Sequence, residues 1–256
     1  IDQYLDDLSE AIASQDDHFF GPIVLLDEGQ SVYSVIDGQQ RLTTTIMLLS
    51  LIRDMLTDMG DPTFEVGGAS VPLKHEVNQM LRDKNFIGFR FTANRQIAPV
   101  FESYIMQEPG PLRKELAKNG KGLTDKEKEN TKALRSAYFR LKAGLQALVE
   151  DGAGGAENPA GFLFALITTL KKSMKLLRIA VPDEEDAYVL FETLNDRGVR
   201  LTAPDLLKSY TLRSSKGLGA VEVEDVVATW DEANELLGDF SFEKFLRHFL
   251  LSAQDK

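Results

Sequence analysis

The residues of this chain that are best suited to chemistry lie in one short polar segment, Asp37-Gly38-Gln39-Gln40-Arg41. Arg41 offers a planar fork of hydrogen-bond donors that fits a phosphate group, whereas a lysine would present only a point charge. Asp37 is suited to holding a hydrated magnesium ion or to orienting a water molecule. Gly38 lets the backbone approach a bound anion. Together these residue types predict phosphate chemistry.

Neutral polar side chains surround Arg41 in the sequence. Those that can fix an attacking water or a phosphate oxygen belong to Gln39, Gln40, Thr43 and Thr44. A purely structural interpretation stays open beside the functional one: Asp37 would cap a helix, and Arg41 would pair with a surface acid. Residue types alone do not decide between the two.

The apolar runs on either side of this segment predict a strand followed by a helix. Val32–Ile36 is β-branched and aromatic, which favours a strand. Apolar residues then recur at helical spacing, at Leu42, Ile46, Leu49 and Leu56. The first N–H groups of a helix lack intrahelical partners and carry partial positive charge, so they receive an anion well. The segment is therefore predicted to hold phosphate at a helix N-terminus.

A second polar segment lies within Phe191–Lys208 and predicts a corner between two helices. Gly198 suits the left-handed residue that closes a helix. Thr202-Ala203-Pro204-Asp205 reads as a capping box with proline at the first helical position. The polar residues around the corner are Asn195, Arg197 and Lys208. A structural interpretation also stays open here, with Asn195 as a C-terminal cap and Lys208 as a solvated helix charge.

Both segments resemble the two characteristic segments of one family, the N-terminal domain of GmrSD-type restriction proteins, which is ParB-like. The resemblance runs over residues 4–208 by the placement of the motifs. It implies a domain that binds and hydrolyses a nucleoside triphosphate together with Mg2+, and so controls a DNA-cutting activity directed at modified or foreign DNA. The nucleotide base and the DNA modification stay undetermined.

The resemblance also implies roles for individual residues. The expected catalytic residues are Asp37, Gln39, Gln40 and Arg41, with Asp37 as the magnesium ligand. The expected nucleotide-binding residues are Gly38, Thr43, Thr44, Asn195, Arg197, Gly198 and Lys208. Two other functions stay open: a ParB-like domain that cuts DNA directly with a metal ion, and a switch that binds nucleotide or a protein partner without hydrolysis.

The sequence departs from the family pattern in two respects. A Tyr-Gln-Arg element that family members carry before the first helix is missing. The clustered histidines of an HNH-like nuclease are missing too, because the three histidines lie far apart, at His18, His75 and His248. We therefore expect the nuclease on a missing domain or a separate subunit, and DNA to be contacted through the full-length protein or a partner. Homo-oligomers stay possible.

Charge is distributed unevenly along the chain, which has a formal net charge of -11. Residues 1–60 contain eleven acids and two basic residues, whereas residues 113–142 contain ten basic residues and four acids. The overall acidity is unlike that of a domain that holds DNA by neutralising phosphates. The best DNA-facing candidates are Arg135, Arg140 and Lys142, although a solvated helix face explains them as well. The absence of cysteine fits a reducing cytoplasm.

The pattern of apolar residues predicts an α+β fold that is mostly helical, with a small mixed sheet. Four parts are expected: a strand-hairpin and motif-helix part (1–108), a helical insertion with a loop and a long helix (109–158), a return strand with the second segment (159–215), and C-terminal helices (216–256). Strands are predicted at 22–27, 32–36, 63–66, 89–92 and 176–181. Helices are predicted at 4–13, from the motif onward, and at 96–106, 124–149, 160–173, 221–237 and 242–251.

Overall fold

The structure is a computed structural model. It describes residues 1–14, 16–83, 85, 88–94, 97–108, 123–152 and 158–183, and scattered residues between 186 and 249. The second polar segment, Phe191–Lys208, lies outside the described residues. The roles expected for Asn195, Arg197, Gly198 and Lys208 therefore stay predictions, as does most of the C-terminal helical part.

The fold is α+β and mostly helical, as the sequence predicts. The helices are α1 (Asp2–Ser14), α2 (Gln39–Asp58), α3 (Leu73–Leu81), α4 (Ala98–Val100), α5 (Asp125–Asn130), α6 (Lys132–Gly152) and α7 (Pro159–Lys172), and α4 continues into a π-helical turn (Phe101–Met106). The strands are β1 (His18–Gly29), β2 (Val32–Asp37), β3 (Thr63–Val66), β4 (Ala69–Pro72) and β5 (Met174–Val181).

A three-stranded mixed sheet has the order β2-β1-β5. The antiparallel hairpin of β1 and β2 confirms the predicted one, and its turn consists of Gln30 and Ser31, both with positive φ. A second antiparallel hairpin, β3 and β4, closes around Gly67 and Gly68. The strand predicted at 63–66 is therefore present, and its partner β4 is an addition to the prediction.

The chain forms two compact units. One contains Ile1–Gly21 and Gln39–Leu176, and the other contains Pro22–Gly38 and Leu177–Lys256. The chain passes from one unit to the other inside β1, between Gly38 and Gln39, and inside β5. The four parts expected from the sequence are consecutive segments of the chain, whereas each compact unit combines separate segments. The four-part division stays a prediction.

Helix α2 is the centre of the first unit. It packs against α3, α6 and the π-helical turn, and eight consecutive residues, Ile46 to Arg53, are all buried. A run of that length covers every face of the helix, which is the pattern of a core helix rather than an amphipathic one. Among the described helices, none is both long and apolar enough to cross a membrane.

One residue in this buried run is a cation, Arg53, whose side chain is completely buried. Its Nη2 donates to the carbonyl oxygens of Ile105 at 3.2 Å and Gln107 at 2.7 Å, and its Nη1 donates to that of Met106. Nη2 also lies 3.0 Å from Oδ1 of Asp54. The guanidinium thus satisfies the last carbonyls of the π-helical turn, which have no partners within the turn itself.

Three predicted elements differ from the structure, one strand and two helices. The segment at 89–92 is not a strand, because only Phe89 forms an isolated bridge, to Arg82. Arg90 instead donates its backbone N–H to the carbonyl of Leu81 at 3.0 Å and its Nε to that of Arg82 at 2.6 Å. These donors satisfy carbonyls at the end of α3, and this local pairing replaces a strand ladder.

The long helix predicted at 124–149 is divided in two. Its start is confirmed, since Thr124 and Glu127 form the predicted capping box. The break falls at Thr131, a buried residue whose hydroxyl donates to the carbonyl of Glu127. A hydroxyl bond of this kind does not by itself end a helix, since Thr45 makes the same bond within the continuous α2. At this break the carbonyl oxygen of Lys128 accepts a hydrogen bond from the side chain of Arg135 at 3.0 Å. The helix predicted at 96–106 is α-helical only over Ala98–Val100 and π-helical beyond.

We expect Arg53→Leu to destabilise the protein by about 3–5 kcal/mol, because it leaves buried carbonyls without donors. Arg140→Leu is the matched control. Arg140 pairs with Asp2 at the surface, and an exposed pair contributes about 0–1 kcal/mol. Urea denaturation of both variants measures the difference. Equal losses would contradict the role assigned to Arg53.

Candidate functional site

The predicted turn from strand to helix is present in the structure. β2 ends at Asp37 and α2 begins at Gln39, so the residue that precedes the helix is Gly38. Gly38 has a φ of +92° and is buried. A Cβ atom there would lie 3.2 Å from Cγ1 of Ile23 and 3.4 Å from the carbonyl oxygen of Pro22. Both the backbone conformation and the available space therefore require glycine, and the N-cap position belongs to Gly38 rather than to Asp37.

A β-bulge directly precedes Asp37. Leu25 pairs with Val35, whereas Val24 pairs with Asp37. β2 therefore advances by two residues where β1 advances by one, which leaves Ile36 as the extra residue. Bulges bend the strand and change the direction of the next side chain, and they are frequent beside active sites. The bulge thus helps to set the direction of the half-buried Asp37 carboxylate.

Arg41 lies in the first turn of α2, and its side chain reaches the backbone of β1 at Gly21. A Cβ atom on Gly21 would lie only 3.1 Å from Cζ of the guanidinium. Gly21 has a φ of +106°, a conformation that favours glycine. Arg41 is half-buried, as a side chain in contact with a strand backbone must be.

The backbone of Arg41 is held from the opposite direction by a chain of two hydroxyl groups. Thr45 Oγ1 donates to the carbonyl oxygen of Arg41 at 2.9 Å. The hydroxyl of Tyr4, on α1, lies 3.1 Å from Thr45 Oγ1. Because the single Thr45 proton is used on the carbonyl, Tyr4 must be the donor in this second bond. The hydrogen bonds therefore run in one direction, from Tyr4 to Thr45 to Arg41.

An aromatic contact closes this chain into a ring. The rings of Tyr4 and Phe20 pack edge to face with centroids 5.0 Å apart, and Phe20 directly precedes Gly21 in β1. Contacts thus lead from Arg41 through Thr45, Tyr4 and Phe20 back to the glycine under the guanidinium. We call these residues, Tyr4, Phe20, Gly21, Arg41 and Thr45, the arginine ring. Three elements, α1, β1 and α2, thus contribute contacts around Arg41.

Burial has a chemical consequence for Tyr4. Removal from water disfavours the phenolate, and this raises the pKa of Tyr4 to about 12. The phenol therefore stays protonated and able to donate at neutral pH.

The remaining predicted residues of the first segment lie on the first turns of α2. Gln39 and Gln40 are exposed, and Thr43 and Thr44 are half-buried. Their proposed catalytic and binding roles stay predictions. Thr45, the neighbour that bonds to Arg41, was not predicted. Its only sequence signal is a threonine four residues after Arg41, the spacing at which a helical threonine bonds back to a carbonyl.

No group of three or more histidine, aspartate or glutamate side chains gathers within the part of the chain that the structure describes. Mg2+ is commonly held by one or two carboxylates together with substrate phosphates and water. The role of Asp37 as a magnesium ligand stays a prediction.

The three predicted DNA-facing residues differ in their surroundings. Arg135 Nη2 donates to the carbonyl oxygen of Lys128 at 3.0 Å, across the break between α5 and α6. Arg140 pairs with Asp2 of α1, and Lys142 is exposed. Two of the three thus make contacts within the fold, and contact with DNA stays a prediction for all three.

A comparison with protein families matches residues 1–212 to the family described as GmrSD restriction endonuclease, N-terminal domain. This match covers more than half of the 256 residues and includes every residue of the first segment and of the arginine ring. No curated protein matches the chain.

We expect Tyr4→Phe to alter how stability depends on pH. A folded-state pKa of about 12 lies above the ordinary value of 10.0. Below pH 10 the phenol is neutral in both the folded and the unfolded protein, and stability is unaffected. As the pH rises from 10 to the folded-state pKa, only the unfolded protein ionises, and the free energy of unfolding falls by about 3 kcal/mol. Denaturation at a series of pH values measures it. The alkaline loss of stability should be smaller in Tyr4→Phe, and parallel curves for the two proteins would contradict the assignment.

Proposed function

The chain belongs to the family of GmrSD restriction endonuclease N-terminal domains, and from this membership we propose that it binds and hydrolyses a nucleoside triphosphate and thereby controls a DNA endonuclease. Membership makes the protein a component of a restriction system. The nucleotide, its hydrolysis and the control of cutting are the proposal. The nuclease itself would reside on a further domain or on a partner chain.

The N-terminus of α2 supports phosphate binding. The first N–H groups of the helix follow Gly38, whose missing side chain leaves the backbone accessible to an anion. α2 extends for 20 residues, long enough to carry a full helix dipole with its positive end at this point. In the proposal these N–H groups receive the phosphates of the nucleotide.

The position of Arg41 is the single observation that carries the proposal. Two structural features hold it: the Thr45 hydrogen bond at its carbonyl and the Gly21 backbone beside its guanidinium. A cation fixed before the substrate arrives stabilises the negative charge of a phosphoryl transition state without reorganisation. Arg41 would therefore bind the phosphates and stabilise the charge that develops on them.

The substrate would arrive as its magnesium complex, in which the metal neutralises phosphate charge. Asp37, at the end of β2, would accept a hydrogen bond from metal-bound or attacking water. Gln39 or Gln40 would orient that water through a side-chain amide, as positioned glutamines do in other nucleotide hydrolases. In the second segment, Asn195 and Arg197 would complete the nucleotide site, with Gly198 and Lys208 beside them.

Purified protein is expected to release phosphate from at least one nucleoside triphosphate in the presence of magnesium. Arg41→Ala should lower kcat/KM at least about 100-fold, because it removes a charge that acts in the transition state. Arg90→Ala is the control, since Arg90 is exposed and bonds only to the end of α3 among the contacts described above. Undiminished turnover in Arg41→Ala would remove this arginine from the mechanism.

The same preparation separates the proposal from its rivals. Nicking of plasmid DNA with magnesium and without nucleotide would indicate a nuclease instead. Calorimetric binding of nucleotide without phosphate release would indicate a switch that does not hydrolyse its ligand. Either result would overturn hydrolysis as the function of the first segment.

A further inference from the structure

Three atoms of the Arg41 side chain lie close to the point where a Cβ atom of Gly21 would be. The distances to that point are 3.1 Å from Cζ, 3.2 Å from Nη1 and 3.3 Å from Nε. A point in the guanidinium plane, beyond the edge between Nε and Nη1, would be nearer to both nitrogens than to Cζ. Because Cζ is the nearest atom, the point lies over the flat face of the guanidinium.

We infer that Gly21 is a positioning residue for Arg41: its missing side chain lets the guanidinium lie with one face against the backbone of β1. The N–H groups of a guanidinium all lie in its plane, so the face of the group, and not its donors, makes the contact at Gly21. A planar fork held in this way matches two oxygens of one phosphate group. The ligand in this inference rests on the function proposed above, whereas the contact itself does not.

The inference explains why position 21 holds glycine for two separate reasons. A φ of +106° strains any side chain, and a Cβ atom would additionally push the guanidinium away. Gly60 separates the two effects. It also has a left-handed conformation, with a φ of +80°, but nothing lies within 4 Å of its Cβ position. Gly60→Ala therefore reports backbone strain alone and is the matched control for Gly21→Ala.

A double-mutant cycle tests the contact without any activity measurement. The unfolding equilibrium is measured for the wild type, Gly21→Ala, Arg41→Ala and the double variant. Removing the Arg41 side chain removes the group with which the new methyl collides. Gly21→Ala should therefore raise the unfolding equilibrium constant of the wild type by one factor and that of Arg41→Ala by a smaller one. The first factor should be at least about five times the second. Equal effects in both backgrounds would overturn the inference.

If Gly21→Ala does not fold, the double variant of Gly21→Ala with Arg41→Ala tests the contact. It is expected to fold, because strain alone remains and Gly60→Ala measures the cost of such strain. A double variant that also does not fold, beside a folded Gly60→Ala, would overturn the inference.

Kinetics give a second, independent readout. Gly21→Ala should lower kcat/KM for the triphosphate at least about 10-fold, and Gly60→Ala should stay within about twofold of the wild type. In the Arg41→Ala background the Gly21→Ala change should have no further effect, since it acts only through that arginine. Wild-type kcat/KM in a folded Gly21→Ala variant would overturn the inference while leaving the proposed function intact. A wild type without phosphate release would overturn the proposed function. The double-mutant cycle of unfolding equilibria would still test the contact between Gly21 and Arg41.

Discussion

Complete burial of the middle of α2 is the constraint on which the rest of the described structure depends. Eight consecutive covered residues fix the helix on every side, so its N-terminus cannot shift without disturbing the core. Arg53 adds a polar attachment at the far end, where its guanidinium holds the carbonyls of the π-helical turn. The first turn, with Arg41, therefore extends from a rigid base.

The two arginines of α2 show how context decides the role of one residue type. Arg53 is surrounded by carbonyl oxygens of its own chain and is completely buried. Arg41, three turns earlier, is half-buried and lies against a glycine backbone. Arg53 is explained by structure alone, because its donors satisfy the carbonyls at a helix end. Arg41 is held by contacts that also suit the binding of an anion, which is why the proposed function rests on it.

Local pattern predicted the parts of the fold in which neighbours in sequence determine the conformation. The hairpin of β1 and β2, the glycine between strand and helix, and the capping box at Thr124 all follow from short-range rules. The break at Thr131 and the missing strand after Phe89 did not follow, and at each place an arginine side chain bonds to a carbonyl seven or eight residues earlier in the chain. Apolar periodicity does not register such bonds.

The same distinction applies to the candidate site. Asp37, Gly38 and Arg41 are candidates from the sequence because their types and spacing carry a signal, whereas no such signal points to Gly21 or Tyr4. Their contacts arise only when α1 and β1 fold against α2, over separations of up to 41 residues in the Tyr4–Thr45 bond. Long-range packing of this kind leaves no local pattern in a single sequence.

The one-way hydrogen-bond chain from Tyr4 gives the amino-terminal helix a significance beyond covering the core. A shortened protein that began after α1 would keep the whole first polar segment yet lose the phenol that donates to Thr45 and the ring that packs on Phe20. Both supports of the arginine would weaken together. Any minimal version of this domain must therefore retain α1.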